Sequence, residues 1–147
     1  QAQALLQRVR LVRLLRILGP WRGQGPSFFQ REKYTRAMEL QEKRLPPEHP
    51  ERFGPLLGMG LLSLAESHPA EAWPWLERAL AVSSVARRAR VQFPLARALW
   101  EAGGEKPRAV ELATQAREFW SRQGLASEAK QVSRWLEAHA LSPSVHP

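Results

Sequence analysis

Any chemistry this chain performs must come from few side chains. It has four histidines, no cysteine, no aspartate and no asparagine in 147 residues. Glu48 precedes His49 and Glu66 lies close before His68, so each pair could exchange a proton as general acid and base. Both histidines also stand immediately before a proline, Pro50 or Pro69, with Glu51 or Glu71 close behind. Proline suits the first helical position and a carboxylate in the first turn suits the helix dipole, so helix capping outweighs catalysis here. His139 and His146 lie near the C-terminus, and no histidine has a second ligand at metal spacing. Ser63, Ser67 and Ser121 lack a nucleophile-elbow context, and Gly54-x-x-x-Gly58-x-Gly60 follows no strand and matches no phosphate loop. The expectation is a non-enzymatic chain with no metal and no cofactor.

Charge offers a different chemistry. Residues 1–44 carry ten Lys or Arg against three Glu, a net +7 of the chain's +8. Arg8, Arg10, Arg13 and Arg16 alternate with Leu5, Leu6, Val9, Leu11, Val12 and Leu14 in a stretch that reads as a helix from Ala4 to Leu18. Such a basic amphipathic helix could lie on an anionic membrane or track nucleic-acid phosphates. It could equally be a repeat helix with solvated arginines, or pair with an acidic protein, an upstream domain or a second copy of the chain. No apolar run is long enough to span a bilayer, and a cytoplasmic location is expected. The chain begins with glutamine, so it reads as a fragment of a larger protein.

The elements that must position these residues are helices. Alanine and leucine abound, β-branched residues are scarce, and prolines and glycines cluster at 19–26, 46–50, 54–60 and 103–107. Gly124 is placed to close a helix in a left-handed cap. A last helix from about Ser127 to His139 sets Ala129, Val132, Trp135, Leu136 and Ala140 against a polar opposite side. Pro74 and Pro94 fall inside expected helices, where each costs about 3 kcal/mol. Those helices must start later than the pattern suggests, or be kinked.

The helices repeat. Arg36-Ala37-Met38 is matched 42 positions later (79 − 37) by Arg78-Ala79-Leu80, and Gln115-Ala116-Arg117 follows after 37 more (116 − 79). Tyr34, Leu76 and Ala113 each stand three residues before the alanine. A unit of this length cannot bury its own apolar face, so neighbours must stack. From Phe53, the small residues Gly60, Ala72 and Ala79 fall where two antiparallel helices would approach closely, and Leu76 is among the large ones that would fill the space between. Leu95, Ala96, Leu99, Ala109, Ala113 and Ala116 repeat the pattern once a residue is inserted at the Gly103-Gly104 turn.

This pattern resembles the tetratricopeptide repeat over residues 48–123 and, through Tyr34, Ala37 and the Leu45–Pro50 turn, over 27–47. The longer spacing is similar to that of kinesin light chains and of repeat tails in bacterial signalling proteins. The resemblance implies an all-α, right-handed superhelical array of antiparallel helix pairs, a TPR-like α-solenoid with a C-terminal capping helix. Residues 1–26 would form the basic helix and a Gly/Pro linker, 27–123 the repeats, and 124–147 the capping helix and a disordered tail. It also implies a concave groove that binds a protein or peptide partner. Its ligand-facing positions fall on Gly54, Leu57, Leu61 and Leu64 in one first helix, and on Arg90, Phe93, Arg97 and Trp100 in the next. The expected surface is apolar at one end and arginine–aromatic at the other, suited to a peptide with apolar anchors and a carboxylate.

Overall fold

A computed structural model describes Ala2 and residues 24–139. The expected basic helix over Ala4–Leu18 and the tail beyond His139 lie outside the described residues. Helix α1 runs Gln24–Arg44, and a single 3₁₀ turn, Pro50–Arg52, leads into α2, Phe53–Ala65. Then come α3 (Pro69–Ala81), α4 (Arg88–Glu101), α5 (Lys106–Arg122) and α6 (Ala126–His139). The described residues hold no strand. Since α1 starts at Gln24, the last residues of the expected Gly19–Pro26 linker are helical.

Each helix packs on the next in the chain, and α4 also packs on α2. A contact between alternate helices is what stacked hairpins produce, because each first helix must cover the one before it. Burial follows the same period. Phe53, Leu56, Met59, Gly60, Leu62 and Ser63 are buried in α2, and so are the residues 36 positions on (89 − 53) in α4. Between α3 and α5 the step is 37 (109 − 72): Ala72, Leu76 and Ala79 match Ala109, Ala113 and Ala116, all 0% exposed. The extra residue sits in the Gly103-Gly104 turn, as the sequence alignment requires.

Close approach explains the small residues. A methyl group at Gly60 would overlap Leu76 of α3, and one at Gly58 would overlap the Tyr34 ring of α1. The helix ends repeat as well. Ser67 (φ 62°) and Gly103 (φ 75°), 36 positions apart (103 − 67), both adopt the left-handed conformation after a first helix. In each case the next N–H reaches back five residues, His68 to the Ser63 carbonyl at 2.8 Å and Gly104 to that of Leu99 at 2.7 Å. Gly124 (φ 76°) closes α5 in the same way, through Leu125 N–H and the Trp120 carbonyl at 2.8 Å.

Pro74 and Pro94 lie inside α3 and α4, so those helices do not start later but run through the prolines. Each proline leaves one carbonyl without its helical donor, and burial of the flanking residues Ala72, Leu76, Val91 and Leu95 holds the helix regardless.

Candidate partner-binding surface

The described histidines make local contacts within the fold. His49 caps the turn before α2, its Nδ1 accepting from the Glu51 N–H at 3.2 Å. His68 precedes Pro69, with its Nδ1 3.4 Å from Glu71 Oε2. Glu66, the candidate proton partner of His68, instead accepts from Arg31 Nη2, which lies 2.9 and 3.0 Å from its two oxygens. Among the described residues no three His, Cys, Asp or Glu side chains gather as metal ligands do. No helix there is long and apolar enough to cross a membrane.

The expected groove residues divide three ways. Leu57 is 7% exposed and belongs to the core, so it is not an anchor open to a ligand. Phe93 and Trp100 are half-buried because α6 covers them. Trp135 stands edge-on to both, at 6.0 Å from Phe93 and 5.7 Å from Trp100. His139 stacks on Trp135 at 4.6 Å and meets Trp100 edge-on at 5.7 Å, with its Nδ1 2.8 Å from the Trp135 carbonyl. Trp120 closes the cluster against Phe93 at 6.5 Å. The aromatic half of the expected groove is therefore an intramolecular joint. Its rim carries the Lys106 ammonium over Trp100 at 4.8 Å and the Arg97 guanidinium over Phe93 at 5.9 Å.

Leu61, Arg90 and Arg97 remain in solvent, and Leu64 is half-buried against the core. Leu61, 44% exposed, and Arg97 occupy the same place 36 positions apart (97 − 61), on two helices that pack on one another. Adding 37 to Arg97 reaches Arg134, exposed on α6. The buried residues of α6, Ala129, Val132, Trp135 and Leu136, are likewise 37 beyond Gln92, Leu95, Ala98 and Leu99 (129 − 92). So α6, expected as a cap, keeps the phase of a first helix. Its Lys130 and Arg134 are exposed. The sequence pattern set these two residues on the polar side of a cap, although the same 37-residue step that aligned Ala116 with Ala79 would have matched them to Phe93 and Arg97.

No family model, no curated protein and no solved structure matches this chain. Its function must therefore be argued from its own geometry.

Proposed function

We propose that the chain is a non-catalytic protein–protein interaction module of tetratricopeptide-repeat type, part of a larger cytoplasmic bacterial signalling or regulatory protein. Its partner is an extended or helical peptide with an apolar anchor and carboxylates, laid across α2, α4 and α6. One observation carries this reading: a single repeat position faces solvent on all three helices and holds Leu61, Arg97 and Arg134 in turn. An exposed leucine alone is ordinary. Here it sits on a helix with no charged residue between Phe53 and Ala65, next to one that presents Arg90 and Arg97 to solvent. Guanidinium forks grip carboxylates through paired, charge-assisted hydrogen bonds, and the leucine gives the peptide an apolar foothold.

The test is a binding comparison between the native chain and a Leu61→Ser/Arg97→Ala/Arg134→Ala variant of equal helicity, at low and elevated salt. A protein retained by the native chain at both salts and lost by the variant supports the reading. Equal retention of nucleic acid or anionic lipid, released by salt, would transfer the function to the basic residues 8–16.

A further inference from the structure

A cleft of about 190 Å³ opens between the first turns of α4 and the last turns of α5. Arg88 and Gln92 line it from α4, Gln115, Phe119 and Arg122 from α5, and Val85 from the preceding loop. It shares no residue with the Leu61–Arg97–Arg134 surface, so the two sites can fail separately.

Three features of the cleft are unexplained by packing. Gln92 is 6% exposed at a position filled by Leu56 one repeat earlier and by Ala129 one repeat later. Leucine or alanine serves the core there, whereas a buried amide is costly unless it is bonded. Gln92 Nε2 donates to Gln115 Oε1 at 2.8 Å, and Gln115 Nε2 reaches Glu111 Oε1 only at 3.4 Å. The amide pair thus floors the cleft with donors and an acceptor to spare.

Secondly, no carboxylate lines the cleft, and neither Arg88 nor Arg122 forms an ion pair among the described residues. Arg122 has only a long bond, Nε to the Glu118 carbonyl at 3.4 Å. By contrast, Arg31 is paired with Glu66 in the turn after α2, and Arg108 with Glu77 of α3. The first turn of α4 holds no acidic residue, and no side chain caps it.

The third feature is an internal precedent. The residue 36 positions before Arg88 is Arg52 (88 − 52), which is 7% exposed and already holds a backbone oxygen. Its Nη2 donates to the Leu45 carbonyl at 2.6 Å, at the end of α1. An arginine in this place therefore captures peptide oxygens in one repeat and stands unpaired in the next.

We infer that this cleft is a second ligand site, and that it binds a peptide carboxylate. Arg88 and Arg122 flank the carboxylate, the Gln92–Gln115 pair reads the adjoining backbone amide, and Val85 and Phe119 contact an apolar side chain beside it. The neutral amides and apolar lip select a peptide over a bare inorganic anion, which has neither an amide to bond nor an apolar group to bury.

Acetyl-alanyl-leucine is a suitable probe, as the free acid, as its amide, and against inorganic phosphate. Side-chain N–H signals of the full chain report binding by NMR. The acid should shift Gln92, Gln115, Arg88 and Arg122 saturably, while the amide and phosphate leave them in place. Arg88→Gln/Arg122→Gln should weaken the acid about tenfold or more, as loss of charge-assisted bonds requires. Arg97→Gln should bind it like the native chain. Both replaced arginines are exposed, so an unchanged melting curve keeps the comparison valid. Should the double variant lose stability, Gln92→Glu replaces it: a carboxylate built into the cleft should abolish binding of the acid. Equal shifts from acid and amide, the same shifts from phosphate, or undiminished binding by the variants would each overturn the proposal.

Discussion

The two ends of the array are built differently. Helix α1 is 21 residues long, yet none of its residues 29–44 is fully buried. Helix α6 has 14 residues and buries Ala129, Val132, Trp135 and Leu136. The shorter helix is anchored by an aromatic joint. The longer one is held by Tyr34 over Gly58, the Arg31–Glu66 pair, Arg52 on the Leu45 carbonyl, and Gln41 Nε2 on the Glu51 carbonyl at 2.9 Å. Length is therefore no guide to docking strength; what counts is apolar area removed from water.

The contrast can be broken most forcefully at Trp135. Trp135→Ala removes a buried indole and the partner of Phe93, Trp100 and His139, and should cost about 3–5 kcal/mol in urea unfolding. A loss below 1 kcal/mol or so would show that the joint is not what holds α6.

Next in size, Gly60→Ala drives a methyl group into Leu76 in the centre of the core. It should destabilise the whole array by roughly 1–3 kcal/mol, partly offset by alanine's better helix propensity. Gly58→Ala drives its methyl group into the Tyr34 ring of α1. Its effect should be local, with hydrogen exchange accelerating in α1 while α3 to α6 keep their protection. Uniform acceleration would mean that α1 is integral to the core after all.

The smallest change concerns the ion pairs. Arg31 Nη2 reaches both carboxylate oxygens of Glu66, with side chains 31% and 17% exposed. Arg31→Ala should cost about 1 kcal/mol or less, diminishing with added salt, and again only in α1. Across the middle of the array, Arg108 and Glu77 join α5 to α3. Their hydrogen bond raises the Arg108 pKa above its ordinary value, so the guanidinium keeps its charge.

Much of this architecture was legible in the residues. Gly60, Ala72 and Ala79 were readable as close-packing positions because only small side chains allow two helices to approach, and all three are buried. Gly124 announced its left-handed cap, while Ser67 adopts the same conformation without a glycine to signal it. The phase of α6 was encoded in the Gln92–Ala129 and Leu99–Leu136 steps, but its polar opposite side reads equally well as a cap.

The candidate site was less legible. Leu57 and Phe93 hold the same repeat position, yet Leu57 is core and Phe93 is a half-buried member of the aromatic joint. Trp100 was expected to face a ligand in the groove; Trp135, arriving from another helix, packs edge-on against it instead. Gln92 and Gln115 meet only because α4 and α5 are antiparallel and in contact.

Local chemistry therefore determined the helices, their caps and the 36- and 37-residue steps, because those depend on side-chain size, turn geometry and periodicity along one chain. Tertiary structure alone decided which outward positions stay open. Whether Leu61 and Arg97 face water while Trp100 does not depends on how far a side chain from a neighbouring helix reaches, which no spacing within a single helix records.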